Sequence, residues 1–570
     1  MVIKQRADTV LILTSLAEEM NDTLVLGTGG WLPPEEIEAL DWMTLATMLG
    51  WKVKLLNPAS FHCADCDNHR IKWVILTGDP DTINNNTWEE LLRVIRTNQL
   101  LFITRAGKKT GWLSHHFKIT RSDQKLPGDS VEYIHPSFSK EWKLRNQLVL
   151  PELKATAKFN QLLSLSGTCI AGSVVESASK ILFLSFHSSI ARDHEPAFTA
   201  ILKHLLIFES VHPVAWFEWE NTMILRMDDP GSSQPVHDNS FHTTKLSEKE
   251  WDLIGEALLQ KDARMSLAYV PAWTDDGDST RGQLEIDGHR VSRTAGYIYP
   301  SPLVRYHKNL SNGLTRVFDF EEEFRGIEKL RASRLAEAEL HGHTHIHPDK
   351  ESWLNAVDRF ENKKWFREFG KSAGAYISSL EEEKHPLIEG IEAFEKSFHS
   401  LPSTLIFPGE EFTRNVLEKV VKSRVNLVSS YYLGMRIGNK LCWNQHVCSP
   451  YLDLANPRWF EHELPVVGYF HDFDILNHGI QWFTQQLENW QRAGAKYFID
   501  FRELSSVLDY TISVNEAASQ YQLNLHSESH PPFIKPVRAG FHIPAKNFTS
   551  KILLDNNREI RTLSLSVSER

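Results

Sequence analysis

The sequence predicts an α/β protein: an N-terminal doubly wound parallel sheet, then a (β/α) barrel, then a short β-rich C-terminal segment. Three observations predict it. Short apolar runs alternate with helical patterns through the first two hundred residues. A second alternation of the same kind runs from Trp216 to Asp509. Beyond Tyr510 the pattern changes to period two, with turn residues between the runs. The expected boundaries are 1–212, 213–510 and 511–570. A chain of 570 residues exceeds what one hydrophobic core serves, in agreement with several domains.

In order, Thr9–Thr14 reads as a buried strand, and Pro34–Gly50 as a helix. Its apolar positions Ile37, Leu40, Met43, Ala46 and Leu49 recur at helical spacing, and Gly50 stands where a helix stops. Lys52–Leu56, Trp73–Thr77 and Leu100–Thr104 read as further strands, with a helix over Thr87–Arg96. Lys180–Phe186 and Glu195–Phe208 add another strand and helix. This layout resembles the class I glutamine amidotransferase-like or flavodoxin-like group over roughly residues 5–210. No Gly-x-Cys-x-Gly elbow is present, since Cys169 lies in Ser-Gly-Thr-Cys-Ile, so thiol chemistry is not expected. Gly27-Thr28-Gly29-Gly30 reads as a loop before a phosphate cradle. In the second unit the strands are Thr222–Met227, Ala336–Leu340, Thr404–Phe407, Pro465–Phe470 and Lys496–Ile499. Helices lie over Ile388–Phe398, Arg414–Lys422 and Gln481–Ala493. In the tail, Gln520–His526, Val537–Ile543 and Ile560–Val567 read as antiparallel strands of a small accessory unit.

Bulk properties narrow the function classes. A formal net charge of -11 argues against a nucleic-acid partner, whose phosphates want a basic footprint. The 17 tryptophans read first as core filling and second as sugar platforms. The five cysteines form no disulfide framework. Cys63-Ala64-Asp65-Cys66, flanked by His62 and His69, lacks a second CxxC and reads as a loop, while Cys442 and Cys448 could bridge in an oxidising compartment. Residues 9–14 are too short for a secretory h-region and no run approaches a membrane span, so the chain reads as cytoplasmic. A removed leader would make it secreted or periplasmic.

Three clusters carry chemistry. Leu225-Arg226-Met227-Asp228-Asp229-Pro230-Gly231 ends an apolar strand in two adjacent carboxylates, whose side chains strand alternation sends apart. The same residues are also strong turn formers. His341-Gly342-His343-Thr344-His345-Ile346-His347-Pro348 places four histidines in seven residues, which packing does not explain. His343 and His347 share a face if the segment makes a helical turn, and His341 and His345 form a competing pair of the same spacing. The later pair is preferred, because Pro348 follows it and Thr344 lies inside it. Val467–Asp474 is a strand delivering His471 at its end.

Together these segments resemble the polysaccharide deacetylase family with the NodB homology domain, a family of carbohydrate esterases, over roughly residues 216–510. Asp228-Asp229 matches its first motif, and His343-Thr344-His345-Ile346-His347-Pro348 matches its His-Ser/Thr-x-x-His-Pro motif. Phe407-Pro408-Gly409-Glu410 matches its proline loop loosely, Tyr469-Phe470-His471 its last motif, and Ala493–Phe498 its final strand. The chain departs from the family in having Pro230 before Gly231 and Ile406 where an arginine is common. It also lacks the family's Asp-Trp segment, with Ser429–Leu433 in that stretch. About a hundred residues separate Asp229 from His343, and the insertion contains Tyr269–Asp278, a candidate substrate-covering loop. These differences suggest a divergent branch.

The resemblance implies a distorted (β/α) barrel of NodB type and a divalent ion, zinc first, held by Asp229, His343 and His347. Asp228 is then the general base, and His471 the acid that protonates the leaving amine, kept cationic by Asp472 or Asp474. Arg226 would steady Asp228, and the loop at Pro408 and Gly409 would offer backbone N–H groups to an oxyanion. The implied reaction removes N-acetyl groups from an amino-sugar-containing oligo- or polysaccharide, with an O-acetyl ester as the other bond open to the same chemistry. Two competing readings are a glycoside hydrolase and a carbohydrate-binding protein that has lost catalysis on the same fold.

Overall fold

A computed structural model describes residues 7–14, 34–62, 70–108, 111–136, 138–155, 158–190, 195–238, 241–354, 365–438, 440–517, 520–527, 537–554 and 562–565. The glycine cluster at 27–30 and Cys63, Cys66 and His69 lie outside the described residues.

The first unit contains β1 (Asp8–Leu13), α1 (Pro34–Met48), β2 (Lys52–Leu56), β3 (Arg70–Leu76), α2 (Asn85–Thr97) and β4 (Leu101–Arg105). It continues with β5 (Ile119–His135), β6 (Phe138–Ala155), β7 (Asn160–Leu165), β8 (Thr168–Glu176), β9 (Ser179–Leu184) and α3 (Ala197–Phe208). Its nine strands form one sheet in the order β2-β1-β3-β4-β9-β8-β7-β5-β6. From β2 to β9 neighbours run parallel; from β9 to β6 they run antiparallel. Alternation along β1 divides the core. Val10 and Ile12 pack with α1 and α3, while Leu11 and Leu13 pack with α2 on the other face. That is the expected doubly wound arrangement, with an antiparallel extension the sequence reading did not anticipate. Gly50 just past α1 takes φ 84°, and a Cβ there would meet the Phe217 ring at 2.6 Å.

The second unit starts with β10 (Val214–Phe217), β11 (Thr222–Asp228), α4 (Glu248–Gln260) and β12 (Met265–Tyr269). An insertion follows with β13 (Ala272–Thr274), β14 (Gly282–Ile286), β15 (His289–Val291), β16 (Ile298–Pro300), β17 (Val304–Asn309) and β18 (Thr315–Asp319). Then come α5 (Phe320–Ala332), β19 (Ala336–Leu340), α6 (Pro386–Phe398), β20 (Thr404–Ile406), α7 (Arg414–Lys422), β21 (Leu427–Ser429), β22 (Tyr432–Ile437) and β23 (Lys440–Cys448). The unit closes with β24 (Val466–His471), α8 (Asp472–His478), α9 (Ile480–Ala493), β25 (Tyr497–Ile499) and α10 (Phe501–Leu508). The main sheet runs β23-β22-β21-β20-β19-β12-β11-β24, and β25 also pairs β11. Its strands are parallel from β24 to β21, and β22 and β23 turn back antiparallel. Among the described residues no ladder joins β23 to β24. Just past β23 the chain makes one parallel bridge, Tyr451 to Tyr469, in which the Leu452 amide donates to the Tyr469 carbonyl at 2.8 Å and the Tyr469 amide to the Pro450 carbonyl at 3.1 Å. This seam of the expected distorted barrel is thus spanned by a bridge in place of a ladder. Met223, Leu225 and Met227 pack under α4 and α5, and the intervening Ile224, Arg226 and Asp228 share the opposite face.

The tail holds β26 (Tyr510–Ala517), β27 (Gln520–Ser527), β28 (Val537–Ile543), β29 (Phe548–Leu554) and β30 (Thr562–Leu565), all antiparallel. Rather than standing apart, it is tied into both units. β28 pairs with β10, and the Ile512 amide donates to the Gly50 carbonyl at 2.7 Å. Tryptophan fills these cores: Trp42, Trp51, Trp73, Trp88, Trp251 and Trp490 are fully buried. Cys442 and Cys448 are free thiols on β23, and because that strand bulges they stand opposite Met435 and Tyr432, three positions apart on β22 and therefore roughly 10 Å from each other, too far to bridge. No helix of the described residues is long and apolar enough to cross a membrane.

The two units meet through a buried charge cluster. Lys203 of α3 donates to Glu218 at 3.1 Å and to Glu463 at 3.0 Å, and His204 reaches Glu463 at 3.2 Å. Removing one partner of a buried cluster strands the others without a counter-charge, which costs about 3–5 kcal/mol. Lys203→Ala is therefore expected to lower the unfolding free energy by roughly that amount, read as a shifted midpoint at unchanged slope in chemical denaturation. A shift within error of zero would show that the cluster does not couple the units.

Candidate metal centre

Chain geometry makes the Asp-Asp pair. β11 is regular through Asp228, so Arg226 and Asp228 point the same way, and Arg226 Nη2 donates to Asp228 Oδ2 at 2.7 Å. The chain then leaves the strand abruptly: Asp229 has φ 78° and Gly231 φ 80°. The turn residues thus also separate the two side chains, because the turn itself swings the Asp229 carboxylate away from that of Asp228. Buried charges hold the turn. Glu323 accepts from the Gly231 amide at 2.9 Å, and Lys245 bridges Glu323 at 3.1 Å and Asp472 at 2.5 Å while reaching the Asp229 carbonyl at 3.3 Å.

The histidine loop is bent rather than helical. It follows β19, and Gly342 (φ 74°) and His345 (φ 57°) both take left-handed backbone conformations. A Cβ on Gly342 would lie 2.1 Å from a Glu368 carboxylate oxygen, so glycine is required there. Glu368 is the template of the loop. Its buried carboxylate accepts from the backbone amides of His343, Thr344 and His345 at 2.9, 3.1 and 3.2 Å. Burial pushes its pKa up to about 7, against the pull of those three donors.

These two bends bring three ligand-type side chains together. Asp229 Oδ1 lies 3.3 Å from His345 Nε2 and 3.5 Å from His341 Nε2, all buried, and Oδ1 has no hydrogen-bond partner among the described residues. His341 Nδ1 lies 3.1 Å from the Ile406 carbonyl, which fixes the proton there and turns the Nε2 lone pair toward Asp229. Burial opposes ionisation of Asp229, but His345, His341 and His471 hold its carboxyl below the usual range. Burial also opposes charge on His341, yet the Asp228 and Asp229 carboxylates outweigh it and raise its pKa. At His345 burial wins and lowers the pKa to about 4. A buried, orphaned carboxylate oxygen between two imidazole nitrogens is a donor set that could hold one divalent cation.

The imidazoles at Asp229 are thus His341 and His345, where the preferred expectation was His343 and His347. That expectation assumed a helical turn, and the loop makes none. His343 instead turns outward, with Nδ1 3.6 Å from Glu389. His347 Nδ1 accepts from the Asp349 amide at 3.2 Å and its own amide donates to the Trp365 carbonyl, so it anchors the exit of the loop. Thr344, the hydroxyl inside the favoured motif, bonds to Glu368.

Around the cluster, Arg226 is wholly buried. It donates to Glu410 and to Ser429 Oγ at 2.9 Å, and its guanidinium lies 4.7 Å from the Tyr469 ring centre. Arg226, two residues before Asp228, thus reaches the proline loop, and Glu410 of that loop is its second carboxylate. Asp228 Oδ1 is buried with no hydrogen-bond partner among the described residues. Pro408 packs against Gly342, and Gly409 has φ 63°. His471 sits beside Asp228 in the β11–β24 register, its side chain 25% exposed. Its Nδ1 lies 3.6 Å from Asp474 and 3.4 Å from the Tyr451 hydroxyl, which itself bonds Asp474. Burial opposes its charge, but Asp474, Asp229 and Asp228 push the pKa up to about 9. Asp472 is turned away to Lys245, so Asp474 is the carboxylate on the His471 ring. In the first unit, burial raises the Cys169 thiol to about 11, which leaves it inert.

Sequence reasoning did not assign Glu368, Glu410, Lys245, Glu323 or Tyr451. For Glu368 a signal was present: a lone carboxylate inside the aromatic stretch Trp365–Phe369.

No family model matches the sequence, and no curated protein matches it. The chain is similar in structure to a CE4 family pseudoenzyme from Bacillus anthracis, at 9% identity and TM-score 0.26, over 50% of this chain and 66% of that one. It is similar to a Thermoplasma acidophilum protein described as a GMP synthase component, at 11% identity and TM-score 0.25, over 35% and 94%. It is also similar to an exo-β-1,4-mannosidase from Opitutaceae bacterium strain TAV5, at 8% identity and TM-score 0.24, over 35% of this chain. The match spans only 36% of the mannosidase. What the centre does is read from its own side chains.

Because Glu368 sets the backbone that carries both imidazoles, Glu368→Gln is expected to weaken zinc affinity roughly 10–100-fold, the usual effect of losing an outer-shell support. Competition with a chromophoric chelator measures it. Unchanged affinity would remove Glu368 as the template.

Proposed function

We propose that this protein is a metal-dependent hydrolase that removes acetyl groups, N-acetyl first, from an amino-sugar-containing oligo- or polysaccharide. The observation that carries this reading is the gathering of Asp229, His341 and His345 about one orphaned oxygen, with Asp228 and His471 side by side on the adjoining strand ends. Two imidazoles and a carboxylate suit zinc. A bound divalent ion would supply Lewis acidity for the carbonyl and a lowered pKa for water. Around it, the chain's own groups divide the work. Asp228, held through Oδ2 by Arg226, keeps Oδ1 open to take a proton from attacking water. His471, cationic and partly exposed, gives a proton to the departing amine nitrogen, and Asp474 and Tyr451 fix its ring. Backbone N–H groups of the Pro408-Gly409 loop would offer an additional oxyanion donor.

The carbohydrate assignment comes from the motif resemblance, since the centre itself specifies only acyl transfer to water. A glycoside hydrolase is disfavoured: Asp228 and Glu410 both accept hydrogen bonds from one guanidinium, leaving neither as the proton donor a glycosidase needs. A binding protein without turnover is disfavoured by the open Asp228 oxygen and the charged His471, which binding alone does not require.

Asp228→Asn is expected to retain zinc, measured by elemental analysis, while acetate release falls about 10²–10⁴-fold, the range for losing a general base. An unchanged rate would exclude Asp228 from the mechanism. Released reducing ends without acetate would overturn the deacetylase reading.

A further inference from the structure

His343 was expected to bind metal and instead lines a cleft. The residue is only 8% exposed, its ring makes no hydrogen bond among the described residues, and it faces a cavity of about 570 Å³, well within the ~300–1,000 Å³ typical of ligand sites. The insertion between β12 and α5 builds one wall, with Tyr299 and Leu303. Phe324 of α5 and Glu389 and Lys396 of α6 build the rest. The cleft adjoins the metal loop directly. The His343 carbonyl accepts from the Ala272 amide at 3.1 Å, and α6 packs so closely that a Cβ on Gly390 would lie 3.0 Å from the Gly342 carbonyl.

We propose that this cleft binds neutral pyranosyl residues of the glycan, flanking the residue presented to the Asp229–His341–His345 cluster; this rests on the deacetylase reading above. A pyranose ring has C–H faces that pack on aromatic and aliphatic side chains, and a rim of hydroxyls that needs donors and acceptors. Tyr299, Leu303 and Phe324 supply the first; the His343 ring, Glu389 and Lys396 supply the second. Ile298 and Leu303 stand 42% and 39% exposed at the rim, apolar surface that a ligand would cover. Glu389 and Glu392 on the same wall disfavour an anionic glycan. The insertion that lengthens the chain between Asp229 and the histidines thereby becomes the part that reads the glycan.

The test is calorimetric binding of the N-acetylglucosamine tetramer and monomer, run beside acetate release. The unaltered protein should bind the tetramer at least about tenfold more tightly than the monomer, since only the tetramer fills the cleft. Tyr299→Ala and Glu389→Gln, with unchanged melting temperature and zinc content, should each reduce that preference to about threefold or less. His341→Ala should keep tetramer binding while losing acetate release. The proposal is overturned if both cleft variants bind the tetramer as the unaltered protein does, or if the unaltered protein shows no preference for the tetramer. Should tetramer binding depend on the cleft while no acetate is released by any form, the cleft assignment stands and the deacetylase reading fails.

Discussion

A carboxylate oxygen buried from water, with two imidazole nitrogens near it and no hydrogen-bond donor, is expensive unless something else satisfies it. Leaving a buried polar atom without a partner costs about 1–3 kcal/mol, and more when it is charged. Asp229 Oδ1 is such an atom, and much of the surrounding structure serves to keep it there. Lys245, Glu323 and Asp472 brace the turn that exposes it to the histidines. Glu368 bends the loop that carries the histidines toward it. Arg226 holds Asp228 aside, so that the two adjacent carboxylates face different partners. A cation at that oxygen gives all three supports a common reason.

Much of this was legible in the sequence. β2, β19 and α7 fall where the apolar pattern puts them, and β11 and β24 deliver Asp228 and His471 at their C-terminal ends as strand alternation requires. These are local properties, set by residues within a few positions of each other. The identity of the histidine pair is not local. Four histidines at alternate positions offer two pairs of equal spacing, and spacing cannot separate them. The choice is made by left-handed backbone at Gly342 and His345 and by Glu368, a carboxylate distant in sequence. The long hairpin of β5 and β6 was missed for a related reason: its buried residues are sparse and its register shifts twice, so no clean period-two signal survives.

The sparse pairing at the β23–β24 seam of the second sheet also has a physical source. β22 and β23 fold back antiparallel, and α1 of the first unit lies against β23, where His446 meets Asp41 at 3.4 Å and Thr199 at 3.0 Å. The face of β23 that would meet further helices of its own unit is occupied by the neighbouring one. α1 is accordingly buried nearly all round from Ile37 to Met48, Glu38 and Asp41 included, as a helix between two layers must be. The first unit therefore covers the β23 edge of the second sheet, and the tail strands join the two units through β10 and Gly50.

The most direct test of the central claim is anomalous diffraction from crystals of the zinc-loaded protein. The account predicts one peak about 2.0–2.2 Å from Asp229 Oδ1 and from Nε2 of both His341 and His345. A peak on His343 and His347, or an ion bound anywhere with none at Asp229, would contradict it.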